Sequence, residues 1–416
     1  MADFFQHGAI ATLHNLTDRS TAELEADLIQ FSQQRRLGLV LPALFSELES
    51  DALPQILMEL KQVPYLSEIV IGLDRANLDQ WLYAREYFSR LPQHHRILWN
   101  DGPRLQALER ELAVLDLAPQ AMGKGRNVWY CLGYMMASQR CDALALHDCD
   151  IATYDRSLLA RLLYPVANPN FDYRFCKGYY ARVSGDRKLK GRVTRLLVTP
   201  LLRAMKLTLG STPYLDYLDS FRYPLAGEFA LMAHIIPGLR IPSDWGLEIG
   251  VLSEIQRNHA PHRICQTEIL DIYDHKHKSL YGGPEDRALA DKDKHAGLAK
   301  MSLDITKALF RKLAIQGHIL TQETFRTLKA TYYRLALDLV AVHQNNAIIN
   351  ALKFDRHEEE QAVEVFAESI ITAGDIFLAN PMETPFIHSW ERIQSALPDF
   401  LPRFLEAVEL DNTEAE

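Results

Sequence analysis

Short apolar runs alternate with amphipathic stretches over the first 150 residues. Leu37–Leu41 is continuously apolar, with Arg35 and Arg36 before it and Pro42 after it. That is the pattern of a strand buried on both faces. Glu68–Gly72, running on into Leu73 and Asp74, repeats it, as does "HRILWNDGPR", which ends in Asn100, Asp101 and Gly102. A fourth strand is expected over Ala143–His147. Between the strands, "ALPQILMELKQVP" and "LDQWLYAREYFSRL" place apolar residues at helical spacing. Further helices are expected over Ser20–Arg36 with Thr21 as N-cap, over Arg104–Leu117, and from "GKG" at Gly123–Gly125 onward. Strand–helix alternation of this kind predicts right-handed crossovers and a mainly parallel sheet.

Beyond Asp150 the pattern changes. "YRFCKGYYARV" alternates in part, as an antiparallel strand does. "KLKGRVTRLLVTPLLRAMKL" reads as a basic loop entering an apolar helix, and "YPLAGEFALMAHII" as a turn at Gly227 entering a helix. "SDWGLEIGVLSEI" predicts a loop and helix, and "QTEILDIYDHKHKSL" a strand followed by a histidine- and lysine-rich loop. From about Leu298 nearly every segment has helical spacing, and "LDNTEAE" reads as a frayed polar tail. The expected division is 1–150, 151–297 and 298–416.

Composition narrows the function. With 48% hydrophobic and 24% charged residues, 416 residues can bury a substantial core. A net charge of −9 argues against a phosphate-backbone partner, so no nucleic acid is expected. No stretch of about 20 uncharged apolar residues predicts a membrane span, and the N-terminal residues lack a secretory pattern. Five cysteines without a CxxC pair predict neither a disulfide framework nor a structural zinc site. A cytoplasmic location fits that usage.

The candidate chemistry gathers where the strands end. Ligands of open parallel sheets sit outside the carboxyl ends of the strands, and Asp74, Asp101, Asp148 and Asp150 fall there. A D-x-D pair can simply cap a turn. It can also share a divalent cation with substrate phosphates. Lys124 between two glycines can meet phosphate as a point charge, although "GKG" is not a Walker motif. Lys188, Lys190, Arg192 and Arg195 make a basic neighbourhood around Gly191 and Thr194. Arginine offers a planar fork to a phosphate or carboxylate.

Seven pieces occur in order over about residues 37–280: "VLPAL", "EIVIG", "GKG", "DCD", "GRVTRLLVTPLL", "PLAGE" and "HKH". Together they resemble the glucosyl-3-phosphoglycerate synthase family, among the nucleotide-sugar glycosyltransferases of the GT-A fold. The resemblance implies an α/β fold with a Rossmann-like, mainly parallel sheet flanked by helices, extended here by C-terminal helices. It implies a retaining transfer of glucose from a nucleoside-diphosphate donor to 3-phosphoglycerate, with Mg2+ or Mn2+, by an enzyme that is often dimeric. Pro42, Ala43, Leu44, Glu47 and Asp74 would lie on the nucleotide side. Lys124, Asp148, Cys149 and Glu228 would serve the nucleotide sugar. Asp150 and His275 would hold the metal, and Gly191, Arg192, Thr194 and His277 the acceptor. Asp150 and Glu228 would carry most of the catalysis. The chain departs from the family at Phe45–Ser46–Glu47, where Asn-Glu is usual, and at His277, where the family has asparagine. Another hexose, a glycerate acceptor, a nucleotidyltransferase, or a non-catalytic nucleotide-binding protein are the competing readings.

Overall fold

The computed structural model describes residues 6, 8–17, 19–275, 297–382 and 386–413. Eight strands form one sheet: β1 (Ala11–Leu13), β2 (Leu37–Leu44), β3 (Leu66–Asp74), β4 (His95–Trp99), β5 (Ala143–Leu146), β6 (Phe175–Arg182), β7 (Phe229–Met232) and β8 (Ile264–Tyr273). Their order across the sheet is β1-β8-β6-β7-β5-β2-β3-β4. β7 runs antiparallel to β5 and β6, and every other pairing is parallel. The central strands read as apolar runs because both faces are covered: Leu39, Val40, Leu41, Ile69, Val70 and Ile71 have no solvent exposure.

The predicted elements are present, with informative differences. β2 continues through Pro42 to Leu44. The carbonyl of Val40 accepts from the His147 N–H, so the nitrogen two residues on faces the same flank. β5 stops at Leu146, opposite Val40, so the N–H that Pro42 lacks would have had no strand to meet. The first helix spans Thr21–Ser32 and is capped by Ser20, not Thr21; the Ser20 side chain accepts from the Glu23 N–H and Glu23 answers with its carboxylate. β1, which pairs with β8, was not anticipated: three residues are too few to show alternation. "EFALM" enters a strand and not a helix. All four residues of β7 are buried, and a fully buried run has no period to betray its type.

The C-terminal region belongs to the same body. The helices Gly297–Ile315, Gln322–Ile349 and Arg356–Ala379 pack on one another, and the Tyr332 hydroxyl donates to the carbonyl of Leu196 at 2.6 Å. Trp390 stacks on Trp129 with ring centroids 4.2 Å apart. It fits because Gly133 has no side chain; a Cβ there would lie 1.9 Å from the indole. The expected frayed tail is helical as far as Thr413. Asp411 pairs with Arg104 at 2.5 Å, and the Asn412 amide both accepts from the N–H of Ile97 and donates to its carbonyl. Asn412 thus covers part of the open edge of β4, where unpaired backbone would otherwise face solvent.

At the carboxyl ends of β3 and β4, the buried Arg126 donates to Asp74 at 3.1 Å, to Glu109 at 2.8 Å and to the carbonyl of Asn100. Asn100 adds a bond to Asp74. A buried ion pair broken on one side leaves an uncompensated charge. Arg126→Met should therefore destabilise the fold by about 3–5 kcal/mol. In urea this would read as a lower midpoint at unchanged slope, with Asp74→Asn recovering part of the loss in the double variant.

Candidate active site

β5 ends at Leu146 and the chain turns through His147, Asp148, Cys149 and Asp150. Two neighbours fix the aspartates. Lys124, first residue of the helix Lys124–Ser138, pairs with Asp148 at 2.5 Å and with Glu248 at 3.3 Å. Burial works against the ammonium, but the two carboxylates outweigh it and raise the Lys124 pKa. For Asp148, burial pushes upward and the Lys124 ammonium wins, holding the carboxylate below its usual range. The glycines beside Lys124 serve packing as well as access. A Cβ on Gly125 would lie 1.9 Å from the carbonyl oxygen of Pro242. Gly227 leaves room at the same place: its Cβ would stand 2.5 Å from Asp148 Oδ2 and 2.9 Å from Lys124 Nζ.

His275 arrives from the far side of two strands. Ile151 and His275 form a bridge, and the Ala152 N–H donates to the carbonyl of Asp274. His275 Nδ1 consequently stands 3.5 Å from Asp150 Oδ2. Arg182, at the end of β6, lies 3.2 Å from the same Nδ1. A guanidinium can only donate, so the Arg182 contact is made by the tautomer with an unprotonated Nδ1, and a bond to Asp150 by the one whose Nδ1 carries the proton. In both, an imidazole and a carboxylate stand together at the strand ends. Glu47 adds a further carboxylate to the same rim. Its oxygen accepts from the Leu44 N–H at 3.0 Å, and its pKa is pushed up to about 8 by desolvation, then by the nearby Asp150 and Asp148 charges. No three His, Cys, Asp or Glu side chains among the described residues converge as a ready-made cage. Asp150 and His275 nonetheless suit a hard cation that takes its remaining ligands from water and substrate phosphate.

The remaining predicted residues divide clearly. Pro42 and Ala43 are buried at the exit of β2, and Leu44 is exposed at its tip. Asp74 lies at the rim but is buried, and one of its oxygens is held by Arg126 and Asn100. Cys149 has no exposure, side chain or main chain, so the structure does not present it at an open surface. Glu228 is also fully buried and precedes a strand, so the helix-entry position expected for it is wrong. Tyr273 donates to one of its oxygens at 2.6 Å and Tyr180 to the other at 2.8 Å. These two rings stack 3.8 Å apart. Lys177, buried beneath, donates to the carbonyl of Ala226 and fastens the turn before Glu228.

The basic loop lies on the same rim. Gly191 has φ +75° and packs against the Tyr223 hydroxyl, which accepts from Arg182 at 3.4 Å. Arg182 therefore touches both His275 and the neighbour of Gly191. Directly after Arg192 the chain forms a π-helical turn, Val193–Val198, before the α-helix Thr199–Leu209. Such turns recur at functional sites. The Thr194 hydroxyl and Arg195 Nη1 are buried with no hydrogen-bond partner among the described residues. Arg192 itself donates to Glu359 at 2.7 Å and to Glu358 at 2.6 Å. His277 lies outside the described residues. Sequence reasoning missed Arg182, Tyr180, Tyr223, Tyr273, Glu248 and the two glutamates. Only Arg182 carried a signal, a charge at the end of a buried strand.

No protein-family model matches the chain. It is 45% identical over 414 residues to a glucosyl-3-phosphoglycerate synthase of Persephonella marina, covering 100% of both sequences. It is 35% identical over 414 residues to one of Methanococcoides burtonii, covering 98% of each. A solved structure of the Mycobacterium tuberculosis glucosyl-3-phosphoglycerate synthase, in complex with Mn2+, uridine-diphosphate-glucose and phosphoglyceric acid, shares the fold. Its TM-score is 0.51 at 20% identity, over 73% of this chain and 88% of that one. Identity sustained from end to end, together with the D-x-D rim, places the chain: it belongs to the glucosyl-3-phosphoglycerate synthase family.

Proposed function

We propose that this chain transfers glucose from UDP-glucose to 3-phosphoglycerate with retention at the anomeric carbon, using Mg2+ or Mn2+. One observation carries the reading. Asp150, His275, Arg182, Tyr223 and Gly191 form a continuous line of contacts from the D-x-D turn to the basic loop. A sugar nucleotide needs the first and an acidic acceptor the second.

In this reading the nucleoside lies against the exit of β2, at Pro42, Ala43 and Leu44, with Glu47 beside it. Lys124 and the D-x-D turn lie beside the diphosphate. Asp150 and His275 would hold the cation, which when bound draws charge from the diphosphate as its bond to glucose breaks. The hexose lies over Gly227, whose bare Cα leaves space beside Asp148. Glu228 holds Tyr180 and Tyr273 and fixes the wall behind the sugar. Arg192 and Thr194 take the acceptor's phosphate, assisted by the backbone N–H groups of the turn that follows. The acceptor hydroxyl then attacks from the face that the diphosphate leaves, and its proton passes to the departing oxygen. Both oxygens of Glu228 already accept tyrosine hydroxyls, which argues against a covalent glucosyl intermediate there. Holding both substrates on one rim supplies the proximity that the step requires.

Five buried, unpaired cysteines suit a reducing cytoplasm. Among the described residues, no helix is long and apolar enough to cross a membrane.

The test is UDP release from UDP-glucose in the presence of 3-phosphoglycerate and Mn2+. Arg192→Ala should raise KM for the acceptor by about tenfold or more, the worth of a charge-assisted hydrogen bond, while KM for UDP-glucose stays put. An unchanged acceptor KM would remove the acceptor assignment. Asp150→Ala should lower kcat by about 10^2–10^3. His275→Ala should shift Mn2+ activation to higher metal concentration, and chelation should stop wild-type turnover until metal is restored. Pyrophosphate in place of UDP would identify a nucleotidyltransferase.

A further inference from the structure

We propose that Glu359, on the helix Arg356–Ala379, is a positioning residue for the acceptor loop, and that Glu358 occupies Arg192 until an acceptor anion displaces it. The inference rests on the reading of Arg192 as an acceptor ligand and adds two residues to it.

One carboxylate serves two arginines. Glu359 Oε1 accepts from Arg192 Nε at 2.7 Å, and its Oε2 accepts from Arg195 Nη2 at 2.8 Å. Its side chain is only 4% exposed. A buried carboxylate shared between two guanidiniums fixes both planes, because each charge would be uncompensated without it. The helix is itself tied to the loop. The Lys353 N–H donates to the carbonyl of Arg187 at 2.7 Å, and Lys188 and Lys353 form a parallel bridge. From the neighbouring helix, Tyr332 holds the carbonyl of Leu196 within the π-helical turn. The loop from Arg187 to Leu196 is therefore set from outside, by the C-terminal helices.

Glu358 differs in kind. It is 51% exposed and takes a single bond, from Arg192 Nη2 at 2.6 Å. Exposed ion pairs are weak and exchange readily. Arg192 Nη1 has no partner among the described residues. A phosphate or carboxylate taking Nη1 and Nη2 together would form the two-pronged contact that guanidinium favours, and it would compete with Glu358 alone. Glu359, bonded through Nε, would stay in place. The two adjacent glutamates thus divide the work into a permanent orienting contact and a replaceable one.

The test compares steady-state kinetics of Glu359→Gln, Glu358→Gln and the double variant Arg192→Ala/Glu359→Gln. Glu359→Gln should raise KM for 3-phosphoglycerate by about fivefold or more with KM for UDP-glucose unchanged. Glu358→Gln should lower acceptor KM about twofold or more, by removing the competing charge. The double variant should raise acceptor KM over Arg192→Ala by less than Glu359→Gln does over wild type, since Glu359 acts chiefly through Arg192. A structural defect would add to the Arg192 effect and disturb the donor KM as well. The proposal falls if Glu359→Gln leaves acceptor KM alone or raises both KM values together. It falls equally if Glu358→Gln fails to lower acceptor KM. Should Glu359→Gln not fold, the exposed Glu358 variant decides. If Arg192→Ala raises acceptor KM while both glutamate variants behave as wild type, this inference fails and the acceptor assignment stands. An Arg192→Ala without effect removes the acceptor assignment itself.

Discussion

The site depends on one juxtaposition: the Asp150 carboxylate stands 3.5 Å from Nδ1 of His275. In the sheet, β5 and β8 are separated by β7 and β6. The chain leaving β8 must therefore cross the ends of two strands to reach the turn after β5. It is held there by the Ile151–His275 bridge and the bond from Ala152 to Asp274. The backbone bonds thus hold a carboxylate oxygen and an imidazole nitrogen side by side, with the Arg182 guanidinium at the same nitrogen. In the proposed reading, these are the two side chains that would share a divalent ion.

The reversed strand β7 completes the rim. Parallel strands all bring their carboxyl ends to one edge, and an antiparallel strand brings its amino end to that edge instead. Gly227 and Glu228 immediately precede β7, so reversal delivers them beside Asp148 and Lys124. The fully buried Glu228 is hydrogen-bonded by two tyrosine hydroxyls, and the Lys124 charge acts on it as well. Burial, followed by the Asp148 charge, raises its pKa. This arrangement suits a rigid wall better than a titrating catalyst.

What was legible in the sequence follows from these facts. Strands buried on both faces announce themselves as apolar runs, so β2 to β5 and the D-x-D turn could be read directly. The paired aspartates, the late histidine and the glycine-flanked lysine are local in sequence and chemically distinctive. β7 was misread because four buried apolar residues carry no period. The terminal "LDN" was misread as a frayed tail because its partners, Arg104 and Ile97, lie some three hundred residues away. Glu358 and Glu359 were invisible for the same reason. "HEEEQ" opening a helix reads as a solvated, dipole-favourable first turn, and nothing in the string says that Arg192 and Arg195 are opposite.

That last pairing bears on why the C-terminal helices matter to a site built on the sheet. A loop meant to bind an anion must carry desolvated positive charge, and such charge is costly when the anion is absent. Arg195 shows the strain: burial lowers its pKa, and Glu359 only partly offsets the shift. Glutamates brought by a separate helix supply that counter-charge without adding a carboxylate to the D-x-D rim. One of them is buried and bridging, the other exposed and singly bonded. In the proposed reading, the fold keeps the arginines oriented through the buried contact and gives up only the weaker one to the acceptor.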